Sequence, residues 1–200
     1  MAEKIDKKVL DKLMVGNAEI RMTDFAKSDW WDNTADKSKT SVTLDFSDAD
    51  SIFTLKDSLS FDQDSPSITT IKIDQGDAEI ASRAEKGDFT FEGRIPSIAV
   101  EVFDKFQSPE GSATYSVTGG DGTKYSGKGY STDLKKLQQT VLIVSDDKKT
   151  AVVFACVDIY AAFAGISGDD PAGVLLSGAI KQNPYGADYL ILSEGESTGA

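Results

Sequence analysis

The chain has 200 residues, of which 40% are hydrophobic and 27% charged, a balance typical of a globular protein. The formal net charge of −12 argues against a surface that grips nucleic-acid phosphates, because each such contact uses a Lys or Arg side chain. The absence of histidine excludes Ser-His-Asp and Cys-His catalysis as well as histidine-ligated metal sites, and lowers the expectation of an enzyme.

The N-terminal residues 3–14 have the spacing of a short amphipathic helix. Its large apolar residues fall on one face, and they are Ile5, Val9, Leu10 and Leu13. This stretch lacks the uninterrupted apolar core of a signal peptide, so no export signal is expected. Two interpretations remain open: the helix packs on its own domain, or residues 1–16 form an arm that docks on another subunit.

A strand is predicted at Ala18–Thr23, and a polar extended loop follows at residues 27–40. The loop contains two adjacent tryptophans, Trp30 and Trp31. Two indoles in a polar loop are costly to leave in water, so they cover the edge of their own core or anchor an interface. The enrichment of Trp at binding hot spots favours the interface.

Alternating apolar residues predict further strands in the next part of the chain. They are Thr40–Phe46, with Val42, Leu44 and Phe46 on one face, then Ile52–Leu55, Ser67–Asp74 and Gly87–Gly93. A turn is predicted at Ser47–Ser51.

The clearest helix is predicted to begin at Pro96, a residue well suited to the first helical position. Its apolar stripe consists of Ile98, Ala99, Val102, Phe103 and Phe106. Ser108–Pro109 ends it. A helix with this stripe is expected to lie across a sheet and close one side of the core, so its role is architectural.

Two hairpins are predicted in the second half of the chain. The first pairs Ala113–Thr118 with Lys124–Tyr130 around a glycine-rich turn at residues 119–122. The second pairs Val141–Val144 with the long run Ala151–Phe163. Neither strand of the second hairpin alternates with polar residues, so both of its faces are expected to pack against other structure.

The long strand of this second hairpin would span about 40 Å. It is therefore predicted to continue past its own core into a neighbouring subunit. Two closing strands follow at Val174–Lys181 and Asp188–Leu192, and the tail at residues 193–200 is acidic.

Three motifs that carry chemistry elsewhere are incomplete in this chain. Asp48 and Asp50 resemble the start of a calcium loop, but Ile52 occupies the next ligand position. Residues 122–128 match part of a phosphate-binding loop, but Gly129 replaces the required Ser or Thr and no helix is predicted to follow. The adjacent Asp146 and Asp147 are better explained as turn caps than as a catalytic pair. No metal or cofactor is therefore predicted.

The single cysteine, Cys156, lies in the apolar long strand, so no internal disulfide is possible and a buried inert thiol is expected. No apolar run approaches the roughly 20 residues of a membrane-spanning helix. We predict a single mainly β domain over residues 1–200, a β-sandwich or β-barrel with one packed α-helix and a short N-terminal helix.

Three stretches resemble the major tail (tail tube) proteins of tailed phages, which are related to the inner-tube proteins of contractile injection systems. LMVGNAEIRMT, before a long polar loop, resembles their opening strand, and the segment from Ile68 to Phe106 resembles their pair of strands leading into a helix after an "IP" step. The segment from Thr140 to Phe163, a DD-containing loop and VLLSGAI resemble their closing hairpin and strand.

The resemblance implies a structural, non-enzymatic subunit that assembles into stacked hexameric rings forming a tail tube. DNA passes through the lumen without specific binding, and the surplus of carboxylates suits such a conduit because it repels phosphate. The implied partners are other copies, a tape measure protein and a tail terminator, with no membrane, and the implied location is the virion tail after assembly in the host cytoplasm. The candidate subunit-interface residues are Leu10, Leu13, Trp30, Trp31, Phe46 and Phe163.

The alternative function is a β-sandwich binding module, such as an adhesin or carbohydrate-binding domain. In that case Trp30, Trp31, Tyr125 and Tyr130 would stack on sugar rings.

Overall fold

A computed structural model describes residues 19–25, 44–55, 57–73, 76–165 and 171–194. These residues form a mainly β, sandwich-like fold with one short helix. The strands are β1 (Glu19–Asp24), β2 (Asp50–Ile52), β3 (Ser60–Gln63), β4 (Ser67–Ile73), β5 (Gly76–Glu85), β6 (Phe89–Ile95), β7 (Pro109–Thr118), β8 (Lys124–Tyr130), β9 (Leu137–Val144), β10 (Thr150–Ala164), β11 (Gly173–Ile180) and β12 (Tyr189–Ser193). The helix, α1, comprises Val100–Phe106. No helix among the described residues is long and apolar enough to cross a membrane.

Eight of the strands form one antiparallel sheet in the order β2-β1-β9-β10-β11-β6-β3, with β12 also paired to β10. Strand β10 is the centre of this sheet because it pairs with β9 along one edge and with β12 and then β11 along the other. Every residue from Val153 to Ile159 is buried. This confirms the prediction that both faces of the long strand pack against other structure.

A β-bulge in β10 lies where the strand paired to its second edge changes from β12 to β11. Ala155 and Cys156 lie together opposite Thr140 of β9, so two residues face one. The Ala155 N–H donates to the carbonyl of Asp188 just before β12, and the Cys156 carbonyl accepts from Lys181 just after β11. The Thr140 hydroxyl donates to the Ala155 carbonyl at 2.7 Å. The bulge thus allows β10 to pair with two strands, β12 and then β11, in succession along the same edge.

The main sheet is curled, although it is not closed into a barrel. Along the strand order, β2 and β6 are five strand spacings apart, or about 24 Å in a flat sheet. Yet Leu55, only three residues beyond the end of β2, donates its N–H to the carbonyl of Arg94 in β6 at 2.7 Å. Three residues reach about 11 Å at most. The sheet must therefore bend until its two ends approach each other.

The hydrophobic core fills the concave side of the curled sheet, where α1 closes it. Phe61 of β3 packs against Phe91 and Phe154, with ring centroids 5.5 and 5.2 Å apart. Phe103 and Phe106 of α1 are both buried in the same cluster. The prediction that the helix packs against the core through its apolar side is therefore confirmed.

Two hairpins, β4–β5 and β7–β8, form separate two-stranded sheets outside the main sheet. The hairpin β7–β8 and its glycine-rich turn were predicted from the sequence. All ten residues of β7 are exposed. An isolated two-stranded hairpin is at best marginally stable in water, so this one depends on contacts at its base or on a partner.

Some boundaries differ from the sequence prediction. Helix α1 begins at Val100 and not at Pro96, because the Ser97 hydroxyl accepts a hydrogen bond from the Ala99 N–H and holds the preceding residues in a turn. Leu44–Phe46, the described end of a predicted strand, has no regular secondary structure. The short strand β3 was not predicted, and the segment of β5 was recognised only through the family resemblance.

The predicted N-terminal helix and arm at 1–16, the loop at 27–40 and most of the acidic tail lie outside the described residues.

Candidate assembly surface

An apolar groove of about 650 Å³ opens where α1, the base of hairpin β7–β8 and the end of β10 meet. Its walls include Ile98, Leu134 and Phe163, whose exposed fractions lie between 63% and 69%. Phe103 closes the floor, with its ring centroid 6.0 Å from that of Phe163. We call this surface the apolar groove. Three large exposed apolar side chains in one concavity are typical of an interaction site.

Polar contacts fix the hairpin against the helix and so set the shape of the groove. The Lys128 ammonium lies 2.6 Å from one Asp104 carboxylate oxygen, and the Tyr130 hydroxyl donates to the other at 3.0 Å. Lys135 donates to the carbonyls of Asp104 and Lys105 at 3.2 and 2.8 Å. A cation at the C-terminal end of a helix satisfies carbonyls that have no partner within the helix.

The electrostatics of this contact favour its ionised form. The hydrogen bond from Lys128 is the main reason that the pKa of Asp104 lies below its ordinary value. Burial raises the pKa of Tyr130, and its hydrogen bond to Asp104 raises it further, so this phenol stays a donor near neutral pH. The contact therefore persists at neutral pH as a carboxylate bound by one ammonium and one hydroxyl.

Hairpin β7–β8 has one aromatic and one polar face. Tyr115, Val117 and Tyr125 share a face, since Tyr115 pairs with Gly127 and Val117 with Tyr125. These three side chains are between 51% and 65% exposed. We call this surface the aromatic face. Beyond Tyr130 at its base, the opposite face carries hydroxyl and ammonium groups, from Thr114, Ser116, Thr118, Lys124, Ser126 and Lys128.

Glycine makes room for one ring on the aromatic face. A Cβ at Gly129 would lie 2.8 Å from Tyr115 Cε2, so the Tyr115 ring lies directly against the glycine backbone. The ring thus contacts the hairpin backbone, while about half of the side chain stays exposed.

The sheet also presents an uncovered edge. Among the described residues, β12 pairs with β10 alone, which leaves its second edge without a strand. Ile191 and Leu192 of this strand are exposed. An exposed apolar edge strand is a template for pairing with another chain.

Two of the six sequence-predicted interface residues lie in the described part of the chain, and their environments differ. Phe163 lies in the apolar groove, at the end of the long strand that was predicted to reach beyond its own core. Phe46 is only 8% exposed, so its own subunit already covers most of its ring. The other four lie outside the described residues: Leu10, Leu13, Trp30 and Trp31.

Several residues of these surfaces were not identified from the sequence as interface residues. Ile98 was predicted to join the buried stripe of the helix, but it precedes α1 and is exposed. The aromatic face could have been found, because Tyr115 and Val117 alternate with Ser and Thr in β7. Leu134 has polar residues on both sides in the sequence, so no apolar pattern indicated that it would join an interaction surface.

Two of the incomplete chemical motifs lie in turns or strands of the described part of the chain. Asp147 accepts hydrogen bonds from the Ser145 hydroxyl at 2.6 Å and the Lys149 N–H at 3.0 Å, which makes it the predicted turn cap. The partial phosphate-loop motif runs along the turn and β8 of the hairpin, with strand and not helix after it. No group of three or more potential metal ligands occurs among the residues described.

Comparison of the chain with models of known protein families and with curated proteins finds no match. The function has therefore to be inferred from the chain's own surfaces.

Proposed function

We propose that this protein is a structural subunit that assembles with copies of itself, as the stacked hexameric rings of a phage tail tube. The apolar groove around Phe163 is the observation that carries the proposal. It lies at the end of the central strand of the sheet, so a neighbour seated there would extend the subunit's own core.

Two further features support assembly. The uncovered edge of β12 offers backbone groups to a neighbouring strand, and ring closure is one way in which β proteins remove such edges. The aromatic face of hairpin β7–β8 is largely exposed within the part of the chain that the structure describes. A subunit with all three surfaces gains stability from neighbours that it does not gain alone.

The charge of the chain suits a conduit for DNA. A net charge of −12 gives a surface that repels phosphate over about one Debye length, roughly 8 Å at physiological salt. DNA would then pass without binding. Under this proposal the subunit is not an enzyme, works in the virion tail after assembly in the host cytoplasm, and meets a tape measure protein and a tail terminator there.

Sedimentation velocity and negative-stain electron microscopy of the purified protein test the proposal. The expected result is a concentration-dependent increase in sedimentation coefficient, with rings or hollow tubes in the images. A protein that stays monomeric at every concentration and salt would overturn it.

A sugar-binding module is the second candidate, and the exposed rings of Tyr115 and Tyr125 favour it. Tyr130 is unsuited to that role because its hydroxyl is bonded to Asp104 and its ring packs on Phe103, with centroids 5.3 Å apart. Glycan-array binding that is lost in Tyr125→Ala, with no change in sedimentation, would favour this candidate over self-assembly.

A further inference from the structure

We infer that the aromatic face of one copy docks in the apolar groove of the next copy, in a head-to-tail contact. This inference rests on the proposed self-assembly and adds to it the two surfaces that meet. Both are apolar, exposed and carried by the same chain. Burial of such surfaces against each other is the main favourable term in most protein association.

The two surfaces cannot meet within one chain. Lys128 and Tyr130 of β8 point towards Asp104 on α1, beside the groove. Alternate residues of a strand point to opposite faces, so Tyr125 and its cross-strand neighbour Val117 point away from the helix. The aromatic face is thus turned away from its own groove and is available only to another molecule.

The charge of the hairpin permits this approach. Residues 109–130 contain two acidic residues, Glu110 and Asp121, and two basic ones, Lys124 and Lys128, so their net charge is zero while the whole chain carries −12. A neutral segment reaches an acidic copy without the like-charge repulsion that the rest of the surface experiences.

A contact between two different surfaces of identical chains has a geometric consequence. A docked pair still presents one free groove, on one copy, and one free aromatic face, on the other, so addition continues until a ring closes or a filament grows. Hairpin-to-hairpin docking would instead stop at a dimer.

Three sets of variants in the full-length chain separate these possibilities. The hairpin variant combines Tyr115→Ser with Tyr125→Ser, and the groove variant combines Ile98→Ser with Leu134→Ser. The matched control combines Thr114→Ala with Ser126→Ala on the polar face of the same hairpin. All six side chains are exposed, and far-UV circular dichroism with thermal melting checks that each variant folds.

Sedimentation velocity over a concentration series measures assembly. The hairpin and groove variants should each raise the concentration for half assembly at least about tenfold, whereas the control should leave it unchanged. Val117→Thr, which keeps the shape and the strand preference, should act in the same direction if the hairpin variant fails to fold. An equimolar mixture of the hairpin and groove variants should form heterodimers and nothing larger, since only one competent contact remains between them.

The outcomes separate this inference from the proposed function. If the wild type assembles and both variants assemble equally well, the docking inference is wrong and self-assembly stands. If the hairpin variant fails while the groove variant assembles normally, docking is hairpin to hairpin and the inference is again wrong. A wild-type protein that is monomeric throughout would overturn both.

Discussion

At the scale of single residues, buried hydrogen bonds decide where the central strand can change partners. The Thr140 hydroxyl is fully buried and donates to the Ala155 carbonyl inside the bulge of β10. Buried carbonyls in native proteins are nearly always hydrogen-bonded, and the Thr140 side chain supplies a donor to the bulged carbonyl at the point where β12 gives way to β11.

Thr140→Val keeps the shape of the side chain but removes the donor. We expect a loss of about 1–3 kcal/mol in the free energy of unfolding, because the Ala155 carbonyl is left buried without this partner. Urea denaturation measures the loss, and Thr118→Val on the exposed hairpin is the control, with a change of about 0.5 kcal/mol or less. Equal effects at both positions would contradict the role of the Thr140 hydroxyl.

Asp104 makes the attachment of the hairpin to α1 depend on pH. Its pKa in the folded protein lies below the ordinary value of 3.8, chiefly through the hydrogen bond from Lys128. A lowered pKa means that the folded state binds this proton less tightly than the unfolded state does. The carboxylate therefore stabilises the fold above pH 3.8, and this contribution is lost as the pH falls through the folded-state pKa.

Comparing the wild type with Asp104→Asn isolates this contribution. The melting temperature of the variant should be lower than that of the wild type by a constant amount near neutral pH. The difference should shrink as the pH falls below 3.8 and through the lowered folded-state pKa of Asp104, because the carboxyl then becomes protonated and both side chains are uncharged. A difference that stays the same down to the most acidic conditions would show that the charge of Asp104 does not support the contact.

At the scale of elements, close approach between strands requires glycine in β11. A Cβ at Gly178 would lie 2.2 Å from the Asp158 carbonyl oxygen of β10, and one at Gly173 would lie 1.9 Å from that of Ile95 in β6. Real Cβ atoms do not approach backbone oxygens so closely, so a side chain at either position would push β11 away from a neighbour.

Gly178→Ala should therefore destabilise the subunit by about 3 kcal/mol or more, as a forced overpacking in a sheet interior. Gly127→Ala is the matched control, because Gly127 also lies in a strand and nothing lies within 4 Å of the added Cβ. That variant should change the free energy of unfolding by about 1 kcal/mol or less. Chemical denaturation of both variants provides the comparison, and similar losses would contradict the proposed crowding of β11.

How well each element could be predicted depended on whether its cause is local. The hairpin β7–β8 followed from its glycine turn, and β9 and β10 followed from their apolar runs. The start of α1 was misplaced, since a hydrogen bond from Ala99 to Ser97 outweighed the helical preference of Pro96. The curl of the sheet brings together Leu55 and Arg94, which are far apart in sequence, and no local pattern encodes it.

The candidate surface was predictable only in part for the same reason. Phe163 could be singled out because it lies near the end of an unusually long apolar strand. Ile98 and Leu134 join it in a groove only after α1, β8 and β10 come together in three dimensions. Sequence patterns report which residues are apolar, whereas tertiary packing decides which of them remain uncovered.

At the scale of the whole molecule, two opposing terms govern association. The apolar groove and the aromatic face favour contact between copies, whereas a net charge of −12 on each copy opposes it. Salt shifts this balance, because it screens repulsion between acidic surfaces and leaves apolar burial largely unchanged. The Debye length falls from about 30 Å at 0.01 M to about 8 Å at 0.15 M ionic strength.

Assembly should therefore strengthen as sodium chloride rises over this range, with the concentration for half assembly falling in sedimentation experiments. A protein that binds DNA through its phosphates shows the reverse dependence, since that binding weakens as the salt concentration rises. Measuring retention of double-stranded DNA at the same salt concentrations supplies the contrast, and we expect none. Assembly that weakens as salt rises would mean that ion pairs hold the copies together. It would contradict the proposal that the apolar surfaces form the main contact.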